Sequence, residues 1–366
     1  MMYRVALIGC GRVGLLLEED PLRQKPASHM GGIQKLQDVE LTAICDIQPE
    51  RLDYARQKWH VPHTYLDYRE LIDREKPDLI IIATWTSSHH DIAVYAAQHG
   101  VKGIVLEKPV ATTLHHALDL VRICQEKGVK LVVNHERRWD SLYNKTKQII
   151  ADKSLGQLRA IYGNVLSRSA LQGDWHEVIK AVGGGPLLHD GTHLVDMIRF
   201  FTGDIATING HVTREDPTMG VETSASALLH SQNGVTVFLE AGGMRNYFNF
   251  ELDLHFQNGR IKVGNGIREY YVVANSSRYT GFNDLVRQEF PPLTTHSDPF
   301  TGAIREVIRA INSDDEPESS GLDAYKAMEI IFAIYHSASL KGKTVTLPLP
   351  AKMPHPLKKM FRTGMI

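Results

Sequence analysis

The chain has 366 residues, 43% hydrophobic and 23% charged, ordinary values for a soluble globular protein of two domains or one large one. A formal net charge of −1 leaves no broad electrostatic case for nucleic acid or a membrane surface as partner. Only the tail, with Lys358, Lys359 and Arg362, is locally basic, and it reads as a solvated terminus. No apolar stretch approaches the roughly 20 residues of a membrane span. MMYRVALIGCG enters a strand without a signal-peptide pattern, so the cytoplasm is the expected location. Cys10, Cys45 and Cys124 are far apart, odd in number and without metal spacing; they read as buried free thiols in a reducing compartment.

In chain order, short apolar runs alternate with helical patterns up to about residue 135. The runs are YRVALIG (3–9), VELTAICD (39–46), DLIIIAT (78–84), GIVLEKP (103–109) and KLVVNHE (130–136), with helix-like segments at 49–58, 88–99 and 112–127. Continuous apolarity marks strands buried on both faces, and the alternation predicts a doubly wound α/β domain on a parallel sheet. The first run ends in Gly9-Cys10-Gly11-Arg12-Val13-Gly14 and leads into an apolar helical run. In that context G-x-G-x-x-G is a dinucleotide turn: Gly9 for the tight bend, Gly11 for close approach of a pyrophosphate, Gly14 for helix–strand packing. Gly9, Gly11, Arg12, Val13 and Gly14 are the expected contacts.

The second run ends in Asp46, placed to accept from both ribose hydroxyls of an adenosine and to repel a 2′-phosphate; with Ile47 after it and no arginine, NAD is favoured over NADP. Gly14 and Asp46 are 32 positions apart, against the usual ~20. The excess fits an insertion at 18–32, EEDPLRQKPASHMGG, which reads as a loop, either a lid near the cofactor or a passive excursion.

At Glu107-Lys108-Pro109 the pattern becomes specific. GCGRVG, ATWTSSHHDIAVYAAQHG, VLEKPVA, NHERRW, GGGPLLHDGTHLVDMIRFFTG and SGLDAYKAMEIIFAIYHSASLKGKTVTLPL occur in the order found in the glucose–fructose oxidoreductase, inositol dehydrogenase and MocA family. The chain resembles that family over nearly its whole length. The resemblance implies an NAD-binding Rossmann domain, taken as 1–134, and an α+β substrate-binding and oligomerisation domain, 135–366, with a large, mostly antiparallel sheet. Runs after residue 150 agree, from LRAIYGNVLSR to REYYVVA, and Asn233-Gly234 and Asn258-Gly259 each lie between two of them as hairpin signals. Residues 314–320 read as an acidic surface loop before a final helix. A homodimer or homotetramer through the sheet is implied as well.

The resemblance also distributes roles. Lys108, at the end of a buried strand, is expected to contact the substrate hydroxyl and the nicotinamide end of the cofactor, stabilising a developing alkoxide or polarising a carbonyl. Glu107, Thr84 and His89 join the cofactor group. Trp85, where relatives often have proline, either stacks on a nicotinamide or sugar ring or fills core space. Aligned from Gly183-Gly184-Gly185, the family's histidine falls on His193 and its trailing aspartate on Asp196. His193 is then the expected general base, since an imidazole titrates near neutral pH. The family's first aspartate falls on His189, with Asp190 one residue later. His189 is favoured for the substrate contact because it needs no gap and shares a helical face with His193. Glu136, Arg137, Arg138 and Trp139 are candidate substrate contacts for a polar or anionic group; Trp175 and His176 are candidates to close over a sugar.

HDGTH also resembles a zinc-protease H-E-x-x-H. Gly191 and the preceding GGGP make poor helix interior, and no third ligand is evident, so no metal is expected. The expected activity is NAD-dependent oxidation or reduction of a secondary alcohol on a sugar, cyclitol or nucleotide-sugar. Two rivals stay open: an enzyme that keeps NAD bound and recycles it on a glycoside or sugar, and a non-catalytic NAD-sensing regulator.

Overall fold

The computed structural model describes residues 2–168, 184–215, 217–293 and 298–357. The chain divides into two compact units, Met1–Trp139 with Asp298–Tyr325, and Asp140–Ser297 with Lys326–Ile366.

In the first unit the expected runs become β1 (Tyr3–Ile8), β2 (Val39–Cys45), β4 (Leu79–Ile82), β5 (Gly103–Leu106) and β6 (Lys130–Val133), with a short edge strand β3 (His63–Tyr65). They form one parallel sheet in the order β3-β2-β1-β4-β5-β6. The helices are α1 (His29–Lys35), α2 (Pro49–Trp59), α3 (Tyr68–Glu75), α4 (Thr86–Gln98) and α5 (Leu114–Lys127). Thr113 caps α5 through the His116 amide and Gly128 ends it in the left-handed region. Successive alternate strand residues, among them Val5, Leu7, Leu79, Ile81 and Val105, face one hydrophobic cluster.

Part of that cluster comes from far along the chain. The helix Pro299–Ser313 lays Ala303, Ile304, Val307 and Ile308 on the sheet. Burying the three larger side chains contributes on the order of 2 kcal/mol each. Domains contiguous at 134/135 would leave this helix in the second one. The structure returns it to the first, because the parallel sheet has a second apolar face to cover. Cys10, Cys45 and Cys124 are all buried free thiols, and burial pushes Cys45 and Cys124 up to about 12.

The helical run expected directly after Gly14 is interrupted. Leu16–Glu19 is a 3-10 turn, and regular helix begins only at His29. The His29 amide donates to the Val13 carbonyl and the Met30 amide to the Gly14 carbonyl, both at 3.0 Å. In an uninterrupted helix those donors would be Leu17 and Glu18. The helix is therefore spliced: it continues in register after an excursion of twelve residues, 17–28. Removing about twelve from the Gly14–Asp46 spacing leaves the usual ~20. The excursion is pinned at its base. Glu18 accepts from the Ala27 amide and the Ser28 hydroxyl, both at 2.8 Å, and Lys25 donates to the Asp20 carbonyl at 2.7 Å. Glu19 accepts from Tyr54 on α2 at 2.9 Å. The loop expected over 18–32 thus ends at Ser28, and its tip is exposed at Leu22.

The second unit opens with α6 (Ser141–Asp152) and β7 (Leu158–Ser167), followed by α7 (Pro186–His189) and α8 (Gly191–Thr202). Strands β8 (Ile205–Thr213), β9 (Ser224–Ser231), β10 (Thr236–Gly243), β11 (Asn249–Phe256), β12 (Gly259–Gly264), β13 (Ile267–Asn275), β14 (Asn283–Gln288) and β15 (Val345–Thr346) complete it. The nine-stranded sheet runs β14-β13-β12-β11-β7-β10-β9-β8-β15 and is antiparallel except for β7 with β10. Both hairpins expected from N-G pairs form, β9–β10 and β11–β12. Helix α8 packs on β7, where a Cβ on Gly163 would meet Leu194 at 3.0 Å. The alternate positions along β11 are buried and half-buried, the pattern of a sheet covered on one face.

Candidate active site

The glycine turn is sterically fixed at two points and open at a third. Gly9 sits at φ +100°, and a Cβ there would lie 2.5 Å from the Ala83 carbonyl oxygen. A Cβ on Gly14 would lie 2.0 Å from the Gly9 oxygen. At Gly11 the nearest atom is Nη1 of Arg51, 3.7 Å away, which leaves the open cradle a pyrophosphate needs. Arg12 on this turn is exposed and Val13 half-buried. Asp46, at the end of β2, is buried and oriented: it accepts from the Cys10 amide at 2.8 Å and the Gln48 amide at 2.9 Å, with Arg51 at 3.4 Å. A fixed carboxylate beside an open glycine cradle fits an adenosine dinucleotide.

Strand β5 delivers Glu107, Lys108 and Pro109 to the same end of the sheet. Lys108 is half-buried. Glu107, expected at the cofactor, instead turns its carboxylate into the fold. Its Oε1 accepts from His29 Nε2 and Asn134 Nδ2, each at 2.8 Å, and its Oε2 accepts from the Lys108 amide at 3.3 Å. Burial alone would raise its pKa; His29, Asn134 and the Lys108 charge outweigh that and hold the carboxyl below its ordinary range.

His89 is buried and spans two turns, Nδ1 2.9 Å from the Pro109 carbonyl and Nε2 3.1 Å from that of Thr84. Burial lowers its pKa, against the pull of those carbonyls. It ties the turn after β4 to the turn after β5. Trp85, at the cap of α4, is 47% exposed, so its ring is not core filling.

The segment after β6 separates the four substrate candidates. The Arg138 guanidinium is buried and donates to the Glu318 carbonyl and, at 3.3 Å, to Asp323. Trp139 packs against the helix Pro299–Ser313, where a Cβ on Gly302 would approach it to 2.7 Å. Both side chains are thus built into the fold, because the returning segment needs an anchor and a packing surface. Glu136 and Arg137 stay half-buried. Burial raises the Glu136 carboxyl, opposed by the charges of Arg137 and Lys108.

In the second unit, α7 begins with Pro186 at its first position and ends at His189; Asp190 separates it from α8, whose first turn carries His193. Asp190 divides the two helices, yet its φ of −85° and ψ of −35° are helical, so the backbone runs on from His189 to His193 in helical conformation. His189 and Asp190 are half-buried, and His193 and Asp196 buried.

Behind them stands a carboxylate that the sequence did not single out. Glu222 is fully buried and accepts from the Gly185 amide at 2.7 Å, the Leu187 amide at 3.2 Å and the Tyr335 hydroxyl at 2.8 Å. It holds the first amides of α7, donors that a helix start leaves without partners. A Cβ on Gly185 would lie 2.2 Å from the Glu222 carbonyl, so the last glycine of the run is required. Burial outweighs the neutral donors here and pushes the Glu222 carboxyl up to about 7.

Trp175 and His176 lie outside the described residues. Among those described, no group of three or more His, Cys, Asp or Glu is placed to hold a metal ion. The buried polar side chains around the candidate site that the sequence did not single out are His29, Asn134, Glu222 and Tyr335.

A parallel sheet with an open glycine turn and an oriented ribose carboxylate, followed by a helix-backed antiparallel sheet, defines a nicotinamide-dependent oxidoreductase of two domains. Residues 3–135 match the oxidoreductase family with an NAD-binding Rossmann fold, and residues 143–262 match the GFO/IDH/MocA C-terminal domain. The chain belongs to this family. It is 27% identical over 356 residues to D-apiose dehydrogenase of Paraburkholderia graminis, covering 94% of this chain and 90% of that one. It is 23% identical over 350 residues to myo-inositol 2-dehydrogenase of Thermotoga maritima, covering 92% and 97%. A solved levoglucosan dehydrogenase in complex with NADH and L-sorbose shares the fold, with a TM-score of 0.80 at 20% identity over 96% of this chain and all of that one (100%).

Proposed function

We propose that this protein is an NAD-dependent dehydrogenase or reductase acting on a secondary alcohol or ketone of a sugar or cyclitol. The observation that carries the reading is Lys108: an ammonium-bearing side chain at the carboxyl end of β5, the same end of the parallel sheet as the dinucleotide turn, with its neighbours Glu107 and Pro109 each held by a buried histidine. Bound NAD supplies the hydride acceptor. The chain supplies the rest. Lys108 stabilises the negative charge that develops on the substrate oxygen, and His193 removes the hydroxyl proton. His189 stands where relatives place a carboxylate, so it donates to or accepts from a substrate hydroxyl, with Asp190 as its rival for that contact. Glu136 and Arg137 bind the polar end of the substrate. The apiose and inositol dehydrogenase relatives support a polyol-like substrate.

The open face of the large sheet supports a homo-oligomer. Tyr162 and Phe238 stack there at 4.8 Å and are 46% and 42% exposed, an apolar patch that a second copy would cover. Three buried free thiols support a reducing, cytoplasmic location. No described helix is long and apolar enough to cross a membrane.

The test is nicotinamide reduction, followed by absorbance across a polyol panel, for wild type and Lys108→Met. Turnover in wild type with a loss of roughly a hundredfold or more in the variant is expected. Equal rates in both proteins sink the role of Lys108, and stable NAD binding without turnover on any polyol favours the sensing regulator.

A further inference from the structure

We infer that His29 is a positioning residue for Lys108, acting through the carboxylate of Glu107, and that Asn134 shares the role. The inference rests on the assignment of charge stabilisation to Lys108. Three polar side chains from three elements meet at one point: the start of α1, the turn after β5 and the turn after β6. The imidazole and the amide are wholly buried, at 0% exposure each, and converge on one oxygen of Glu107 at 2.8 Å. The other oxygen receives the main-chain amide of Lys108 at 3.3 Å. Rotating the carboxylate would strand two buried donors, so it is locked, and it locks the backbone that presents the lysine. Phe300 packs on the His29 ring in a T-shaped contact, 5.1 Å between centroids and 84° between planes, which leaves the imidazole little freedom to turn away.

The splice in the first helix bears on the same point. The chain leaves after Leu16 and re-enters at His29 in register, as the 3.0 Å bonds to Val13 and Gly14 require. Re-entry one residue early or late would turn the imidazole by about 100° around the helix axis and away from Glu107. The excursion is thus tolerated at the one phase that preserves the contact. His89 grips the following residue through the Pro109 carbonyl at 2.9 Å. The main chain of Lys108 is bracketed on both sides. An ammonium that must meet a developing oxyanion within hydrogen-bond distance gains from such a bracket, because a misplacement of about 1 Å costs on the order of a hundredfold in rate.

The experiment uses the full chain in three variants: His29→Leu, His29→Gln and Asn134→Ser. Two readouts are taken. One is kcat and KM on whichever polyol the wild type turns over. The other is the rate of acetylation of Lys108 by acetic anhydride between about pH 7 and about pH 10, read by peptide mass spectrometry with Lys262 as internal control. For His29→Leu, kcat falls about a hundredfold with KM within about threefold. Its Lys108 acetylation profile shifts while that of Lys262 does not. His29→Gln keeps an N–H donor at similar reach and recovers kcat to within about tenfold of wild type. Asn134→Ser gives the same signature at about tenfold, and decides the matter if His29→Leu does not fold. An unchanged Lys108 profile in these variants overturns the inference, even where kcat has fallen. If no polyol is turned over by the wild type, the proposed function fails, while the acetylation readout still decides for or against the clamp.

Discussion

Each unit keeps a buried carboxylate behind its candidate catalytic side chain, and the two are held in opposite ways. Glu107 stands behind Lys108 and is bonded to an imidazole, an amide and a backbone N–H, with the ammonium of Lys108 nearby. Glu222 stands behind the histidine segment and is bonded to two backbone N–H groups and a phenol. Both accept three hydrogen bonds, yet the carboxyl of Glu107 lies below its ordinary range and that of Glu222 rises to about 7. Hydrogen-bond count does not explain the difference. Neighbouring charge does: an imidazole and an ammonium offset the cost of burying an anion, and neutral dipoles alone do not. Glu107 is a constant anion, whereas Glu222 changes state within the physiological range.

The comparison breaks most visibly at Glu107. Glu107→Gln removes the anion but leaves His29 buried, and breaking such a pair costs about 3–5 kcal/mol. Urea unfolding at neutral pH should show that loss, and a variant as stable as wild type would mean that charge is not what holds Glu107. Next comes pH. The carboxyl of Glu222 lies at about 7 in the fold against an ordinary 4.5, so the folded state binds this proton more tightly. Its contribution to stability is full below pH 4.5 and is lost as pH rises through about 7, amounting to about 3 kcal/mol. Glu107 has the reverse sign, contributing above its ordinary pKa and losing that contribution as pH falls. Glu222→Gln should therefore abolish the fall in stability between about pH 4.5 and about pH 7 and leave the slope above about pH 7 unchanged, measured as urea midpoints from about pH 3 to about pH 9. Flattening below about pH 4.5 instead would exchange the two assignments.

Smaller effects sharpen the picture of Glu222 as a helix clamp. Gly185→Ala forces a methyl against the Glu222 carbonyl, where the closest approach would be 2.2 Å, and should cost about 2 kcal/mol. Calorimetry is the check, and an unchanged melting temperature would show that α7 can shift. Tyr335→Phe removes one of three donors, at a cost of about 1 kcal/mol. It should also move the pH transition of Glu222 upward, visible in the same urea series.

Much of this was legible in the sequence, for identifiable reasons. Continuous apolar runs such as LIII of β4 can only be strands covered on both sides, so the parallel sheet was readable. The tight turn at Gly9 and Gly14 and the placement of Asp46 at the end of β2 were readable because they depend on local chain geometry. Strand β14, NDLVRQ, was not, since it is almost wholly exposed and carries no apolar face. His29 sat in a proline-containing stretch that reads as a loop, and its partner Glu107 lies 78 positions away. Only the splice puts it back on the helix. Glu222 had no signal either: a buried acid among VETSASALL is recognised only once Gly185 and Tyr335 are seen around it. Arg138 and Trp139 were misread because the segment that occupies them, 298–325, returns from the far end of the chain.

The spliced helix has a consequence for how this protein could change over generations. Residues 17–28 leave and rejoin at neighbouring points of a single helix, so their number is invisible to everything downstream. Doubling the length of such a loop costs only about 0.6 kcal/mol in closure entropy. Insertions and deletions there are nearly neutral for the fold while they rebuild a surface rooted at the dinucleotide turn. The excursion is a place where new recognition can be tried, generation after generation, without disturbing the backbone that carries Lys108.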